Sequence, residues 1–420
     1  LMFGRKAPHQ EIIVGLDVGS TAVRLAVGQL VPSGEKTELH IIGAAEAPSE
    51  GVHKGVVTSI EDVVSSISSC LERAERMIGL PVKSAWVGIS GSHIISEESK
   101  GVVAVSKPDG EISEEDVDRA IEAARTVATP LNYEILHVIP KNYTVDGQVG
   151  IKDPIGMTGV RLEVDTQIIQ GLSAQIKNLT KAVYRTGLDI DDLVLSILAT
   201  AEAVVTERQK ELGVAVLNIG GATTSLVIFE EGDILDIAVL SIGSEHITSD
   251  VAIGLRTSID VAEKLKLDYG SALPKEISKK EELDLFDLGE VEHETISRKY
   301  ACEIIEARAE EILMKVDDIF KKLGRSGMLP AGVVLTGGGS KLPGLVELAK
   351  RRLRLPSALG YPLNLTSVTD KINDLSFAAA IGLVRWGAMS AQSGAGKLEN
   401  LISHFGSVGK VTKWVKSLVP

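Results

Sequence analysis

Apolar residues along the chain fall in short strand-like runs and in helical repeats, and two of the runs echo each other. GLDVGSTAVRLAV, Gly15 to Val27, reads as an apolar strand, a glycine turn with small hydroxyl residues and a second apolar strand. LNIGGATTSLVIF, Leu217 to Phe229, has the same layout: Asn218 falls on Asp17, Gly220 on Gly19 and Gly221 on Ser20. Gly and Thr are common turn residues, so two unrelated hairpins are the simpler account. The step-for-step match of two tips so far apart favours a duplicated lobe instead.

The remaining pattern fills in between them. After the hairpin at Ile12 to Leu30, a strand is predicted near Leu39 to Glu46 and a helix over Ser59 to Ile78, stopped by Gly79 and Pro81. Ser84 to Ile89 is another strand. From Ser90 the texture changes to a compact β-rich module with strands at Val102–Val105, Tyr133–Ile139, Gln148–Gly150 and Val160–Gln170. One helix runs there to about Val127, capped by Ser113 with Asp116 three residues on. Then come a helix (Ala174–Arg185), a strand (Asp189–Leu195), one helix over Ala199–Leu212, the second hairpin and a strand at Ile234–Leu240. Ser244–Lys266 reads as a single helix, Lys275–Glu294 as a patternless acidic excursion, and Ile296–Leu323 as a long helix. A buried strand at Ala331–Thr336 and a small-residue helix at Ser376–Ala388 close the folded part.

The last segment differs. Gln392 to Gly396 is a Gly/Ser/Ala linker. Beyond it Val408, Val411, Trp414, Val415, Leu418 and Val419 share an arc of ~140° on a helical wheel. Lys410, Lys413 and Lys416 lie opposite, the pattern of an amphipathic helix at a membrane surface. Each lysine near an anionic surface contributes ~1 kcal/mol, so one tail attaches weakly and many tails on a filament attach firmly.

Composition narrows the classes. At 420 residues the chain is too long for one core. A net charge of −13 with only 4% aromatic residues argues against nucleic-acid binding, which needs a basic face or stacking platforms. Cys70 and Cys302 sit in apolar helical patterns without partners and read as buried thiols. No apolar run is long enough to span a bilayer, and the N-terminus lacks the apolar core of a secretory signal.

The candidate chemistry lies in three glycine-rich tips, each following a strand: DVGST (Asp17–Thr21), NIGGATT (Asn218–Thr224) and TGGGSK (Thr336–Lys341). Glycines remove β-carbons so that backbone N–H groups can reach phosphate oxygens, and hydroxyls add donors. Two such tips across a cleft would clamp a triphosphate, and Asp17 is placed to hold Mg²⁺ through water. Singly each tip is weak; the three in this order are not. There is no GxxxxGK[ST] loop, no GxGxxG fingerprint in a βαβ context, and no metal cluster or nucleophile elbow.

These motifs resemble the actin, Hsp70 and sugar-kinase superfamily, in which an α/β chain folds as two duplicated lobes around ATP. DVGST looks like its first phosphate motif, NIGGATT its second and TGGGSKLPGL its adenosine motif; LATAEAVV and SFAAAIGLVRWG resemble its connecting helices. The small module follows the first helix instead of the first hairpin and contains GIKDPIGMTGVRLEVDTQII. With the linker and terminal helix, this is similar to the FtsA family of actin-like bacterial division proteins, whose small subdomain is relocated.

The resemblance implies segments at 1–84 and 167–212 (first lobe), 85–166 (inserted subdomain), 213–245 and 331–360 (second lobe), and 246–330 (its small subdomain). The closing helix would fall in 361–391, the linker in 392–407 and the anchor in 408–420. It further implies ATP and Mg²⁺ as cofactors. The nucleotide site would comprise Asp17, Gly19, Ser20, Thr21, Arg24, Asn218, Gly220, Gly221, Ala222, Thr223, Thr224 and Gly243. To these it adds Glu263, Lys264 and Lys266 from SIDVAEKLKLDYG, and Gly337, Gly338, Gly339, Ser340 and Lys341. The implied partners are the FtsZ C-terminal tail through Arg308 and Glu311, further copies of the chain in actin-like protofilaments, an anionic lipid surface, and other division proteins through the inserted subdomain. The implied place is the cytoplasmic face of the inner membrane at the division site, as a peripheral protein. An exposed charge pair at helical spacing is the plainer account of Arg308 and Glu311.

Asn218 stands where the superfamily commonly has Asp. It is a poor general base, and Glu202 on the connecting helix is the remaining candidate to orient a water. Slow hydrolysis is therefore expected at most, with nucleotide setting conformation. Three related readings compete: a PilM-like pilus protein, which needs no anchor of its own; a small-molecule kinase, which needs a carboxylate base and a substrate pocket; and an Hsp70-like chaperone, which needs a β-rich domain after the closing helix.

Overall fold

The computed structural model describes residues 12–392 apart from 34–35 and 127–128. The linker and the amphipathic segment named above therefore lie outside the described residues, except that Gln392 is the last residue of the closing helix.

Along the chain the first lobe opens with β1 (Ile12–Val18), β2 (Ala22–Ser33) and β3 (Lys36–Pro48). A two-rung ladder of β4 (Val52–His53) and β5 (Val56–Val57) follows, then α1 (Ile60–Ile78) and β6 (Ser84–Ile89). Ser59 caps α1 by accepting from the Asp62 amide, and Gly79 ends it in the left-handed region, as its sequence signals require. The inserted module is β7 (Ile94–Ala104), α2 (Glu114–Arg125), β8 (Tyr133–Val145), β9 (Gln148–Ile151) and β10 (Arg161–Leu172). Its own sheet runs β7-β10-β8-β9 and packs α2 over Ile112, Tyr143, Leu162 and Val164. The Ser113–Asp116 capping box is present. β6 pairs with β1, so the strand belongs to the first lobe's sheet; the boundary expected at residue 85 lies instead between Ile89 and Ile94.

The chain returns through α3 (Ser173–Arg185), β11 (Asp189–Leu195), α4 (Ser196–Val204) and α5 (Glu207–Leu212). The single helix expected over Ala199–Leu212 is two. Val205 is extended and Thr206 starts a new helix with a capping box to Gln209. The second lobe has β12 (Val214–Ile219), β13 (Thr224–Glu230), β14 (Asp233–Leu240), α6 (Ser244–Leu255) and α7 (Ile259–Tyr269). Here too one expected helix is broken, by Arg256 in the left-handed region, with Ser258 capping α7. The acidic excursion is anchored: Ile277, Leu285 and Leu288 are buried in the lobe's core, and β15 (Glu282–Asp284) pairs with β16 (Thr295–Ser297). Ser297 then caps α8 (Arg298–Lys322). β17 (Gly332–Thr336), α9 (Leu345–Leu353), β18 (Ser357–Leu359), β19 (Thr366–Ser367) and α10 (Ala378–Gln392) complete the fold. The periodicity that marks α9 is Leu345, Leu348, Ala349 and Leu353, all buried.

The duplication is in the hydrogen-bond ladders. One sheet runs β11-β6-β1-β2-β3-β19 and the other β18-β17-β12-β13-β14. Each places its hairpin beside a parallel strand, and the registers match: Leu16 faces Leu25 and Leu217 faces Leu226. The fold is α/β and two-lobed. α10 joins the lobes. A β-carbon on Gly15 would stand 2.2 Å from the Ala380 carbonyl oxygen, and one on Gly382 2.1 Å from that of Ala199, so α10 lies in direct backbone contact with β1 and α4. Among the described residues no helix is long and apolar enough to cross a membrane.

Gly382→Val cannot be absorbed there, because its neighbour is backbone. It is expected to destabilise the chain by about 1–3 kcal/mol or more, read as a lower urea midpoint; an unchanged midpoint would show that the helices are not in contact.

Candidate functional site

The two hairpin tips close in the same way. Gly19 N–H donates to Ala22 O at 3.2 Å and Gly220 N–H to Thr223 O at 2.9 Å. The tips face each other closely: a β-carbon on Gly221 would stand 2.5 Å from Thr21 Cγ2. The third tip packs under the second, since a β-carbon on Gly337 would stand 2.2 Å from Asn218 Oδ1 and one on Gly339 2.5 Å from Ile219 Cγ2. Between the three is a cleft of ≈ 450 Å³, within the size of small-ligand sites.

Most of the residues chosen from sequence line it. From the first lobe these are Asp17, Gly19, Ser20, Thr21 and Arg24; from the second tip, Asn218, Gly220, Gly221, Ala222 and Thr223; from α7, Glu263 and Lys266; from the third tip, Gly337, Gly338, Gly339 and Lys341. Five others do not line it. Thr224 is fully buried and donates its hydroxyl to Ile242 O at 2.7 Å. Gly243 lies behind the second tip, where its missing β-carbon lets α6 approach. There the Ser244 and Glu245 amides bond Gly220 O and Gly221 O at 2.9 and 2.8 Å. Ser340 donates to Thr336 O at 2.6 Å, closing its own turn. Lys264 reaches Leu288 O at 3.1 Å in the acidic excursion. Glu202 is the largest correction. Its carboxylate is buried against Lys210 Nζ at 2.7 Å, away from the cleft, and orients no water there. Arg308 is on α8 and holds Asp250 of α6 through Nε and a terminal nitrogen at 2.6 and 2.9 Å, and also Glu311.

Sequence reading missed a belt of serines. Ser196 Oγ donates to Asp17 Oδ1 at 3.2 Å, and Ser90 and Ser225 share a hydrogen bond across the lobes at 3.2 Å. Ser90 and Ser225 each follow a strand end or tip, which is a signal; Ser196 carries none. The apolar wall of Ile247, Leu267, Leu342 and Pro343 was also not legible.

The electrostatics single out Asp17. Burial pushes its carboxyl above the usual carboxylate range, while Arg24 and the Ser196 hydroxyl pull the other way. The other lining carboxylate, Glu263, is engaged by Lys266 at 2.7 Å and by the Thr248 hydroxyl. The cations are engaged as well: Arg24 with Glu46 at 3.4 Å and Lys341 with Asp374 at 2.6 Å. Asp17 is therefore the lining acid that lacks a close cation, and a divalent ion fits its environment. No cluster of three or more potential metal-ligating side chains occurs among the described residues.

Comparison with known proteins agrees with this architecture. A family model described as "Cell division protein FtsA" matches residues 215–382, and one described as "SHS2 domain inserted in FTSA" matches 91–170. The chain is 38% identical over 384 residues to cell division protein FtsA of Pseudomonas aeruginosa, covering 91% of each chain. The chain belongs to the FtsA family. It is a cell-division protein of that family, and 33% identical over 420 residues to FtsA of Escherichia coli, with 98% of each covered. The inserted β7–β10 module is the family's SHS2 domain. Among solved structures the fold is similar to a PilM–PilN type IV pilus biogenesis complex (TM-score 0.63, 18% identity, 89% of this chain and 98% of that one). It is also similar to MreB5 of Spiroplasma citri bound to ADP (TM-score 0.52, 13% identity, 92% and 98%). Both likenesses establish the actin-like fold.

A carboxyl whose pKa is higher in the fold than in the unfolded chain costs stability at neutral pH, and the cost fades as pH falls through that raised value. Asp17→Asn is expected to raise the melting temperature of the nucleotide-free chain at pH 7, with the gain shrinking as pH falls towards the ordinary carboxylate value of 3.8. A lower melting temperature at pH 7 would contradict the assignment.

Proposed function

We propose that this chain binds ATP with Mg²⁺ in the cleft and assembles as actin-like protofilaments on the cytoplasmic face of the bacterial inner membrane. There it tethers the FtsZ ring at the division site. The observation that carries the reading is the convergence of three glycine-rich tips on one cleft in a chain of the FtsA family.

The tip amides and the hydroxyls of Ser20, Thr21 and Thr223 are the donors for the phosphates. Asp17 would hold Mg²⁺ through water, and that ion supplies charge neutralisation between the phosphates. The Ile247–Leu267–Leu342–Pro343 wall offers an apolar bed for a base, with Glu263 and Lys266 beside it. Hydrolysis is slow in this reading, since Asn218 is a poor base and Glu202 is committed to Lys210. Nucleotide then acts chiefly by holding the lobes together, adding to the Ser90–Ser225 bridge.

The FtsZ tail is assigned to α8, with Arg308 and Glu311 as contacts; the guanidinium is already fixed by Asp250, which presents Glu311 beside it. The SHS2 module is assigned to later division proteins, and the terminal helix with Trp414 and Lys410, Lys413 and Lys416 to anionic lipid. A PilM-like role is less well supported: that likeness stands at 18% identity, against 38% to an FtsA.

Gly338 gives a clean test, because a β-carbon there meets only Ser376 Cβ at 3.8 Å and otherwise points into free space. Gly338→Val is expected to leave the nucleotide-free melting temperature within a few degrees and to weaken ATP binding at least about tenfold, about 1.4 kcal/mol. Unchanged affinity would place the nucleotide elsewhere. Removing residues 406–420 is expected to abolish co-pelleting with vesicles containing anionic lipid; persistent pelleting would refute the anchor.

A further inference from the structure

Behind the phosphate tips is a second, much smaller cavity. It shares Val18, Gly55 and Ser90 with the cleft and is otherwise lined by apolar side chains, His93 and Gln175. His93 ends the elbow Ser90–His93 that leads from β6 into the SHS2 module, and Gln175 is in the first turn of α3. The imidazole is 6% exposed, yet neither of its ring nitrogens has a hydrogen-bond partner, and the Gln175 amide oxygen is buried without one as well. Three orphaned polar atoms around one hole are not expected of a folded core, where each would carry a desolvation cost.

The hole has ≈ 10 Å³ in which the centre of a water molecule fits, about the room one ordered water requires. The backbone supplies a further partner. A β-carbon on Gly91 would stand 2.7 Å both from Gly55 O and from His93 Nδ1. The span between those atoms is thus within reach of one molecule making two hydrogen bonds. Gly91 has φ +145°, and its missing β-carbon is what lets the Gly55 carbonyl and the His93 ring approach this closely. Burial pushes the imidazole down to about 4, so at neutral pH it carries one N–H donor and one acceptor nitrogen, as a water bridge requires. The Gly55 amide donates to Ser20 Oγ at 3.0 Å, which ties the same turn to the first phosphate tip.

We infer that His93, Gln175 and the Gly55 carbonyl hold one buried water that braces the Ser20 tip against α3 and the root of the SHS2 module, making His93 a positioning residue for the phosphate end of the cleft. The water site stands on its own geometry; its effect on nucleotide rests on the cleft being the ATP site.

The test uses the full chain and the variants His93→Leu and His93→Asn. An atomic-resolution crystal structure is expected to show ordered density within hydrogen-bonding distance of His93 and Gln175. His93→Leu, which removes the bridge and leaves Gln175 unpaired, is expected to lower the melting temperature and to weaken fluorescent-ATP binding several-fold, with a smaller change for ADP. His93→Asn, whose amide sits near the Nδ1 position, is expected to restore both. An empty cavity together with a higher melting temperature for His93→Leu would overturn the water site, because removing truly unpaired nitrogens is stabilising. Density with unchanged ATP affinity in His93→Leu would overturn the brace. Failure of the parent chain itself to bind ATP would count against the cleft reading and leave the density and melting results to decide the water.

Discussion

The architecture depends on how closely α10 lies against its neighbours. Gly15 and Gly382 meet carbonyl oxygens of Ala380 and Ala199 at distances that no β-carbon tolerates. α10 is therefore shared: it buries Ile381, Leu383 and Val384 on the first sheet while lying against the helix that follows β11. α4 in turn lies against β12 and β13 of the second lobe, and Thr21 of one tip stands beside Gly221 of the other.

Within the cleft so formed, charge is unevenly satisfied. Arg24, Lys266 and Lys341 all have carboxylate partners, and Glu263 is the one that holds Lys266. Asp17 has only a hydroxyl at 3.2 Å and a more distant guanidinium for its buried charge. In the function proposed above, the acid left short of a cation and the surrounding amides would take a metal and an anion together. The same comparison removes Glu202 from any chemistry, because Lys210 already satisfies it. Both side chains are nearly enclosed, so neither is free to turn towards the cleft.

Much of this was legible in the sequence, because the two hairpin tips match step for step and a third glycine-rich tip follows them in order. The relocated module was legible from where its strands begin, and β6 was read with its observed bounds; only the implied border at residue 85 cut into that strand. The breaks within two expected helices were not legible. Apolar periodicity continues across Val205 and Arg256, and only the caps at Thr206–Gln209 and Ser258 mark the breaks. Choosing between Lys264 and Lys266 was beyond helical spacing alone. The face of α7 is set by Val261, Ala262 and Leu265 packing into the core, and this turns Lys266 to the cleft and Lys264 to Leu288. The serine belt and the orphaned His93 arise from chain segments far apart in sequence, so no local pattern announces them.

In the proposed function this cleft takes a magnesium nucleotide. Calorimetric titration of ATP into the full chain, with Mg²⁺ and again with the metal chelated, measures it directly. Saturation at one ATP per chain is expected with Mg²⁺, and markedly weaker binding without it. Absence of binding, or binding indifferent to the metal, would contradict it.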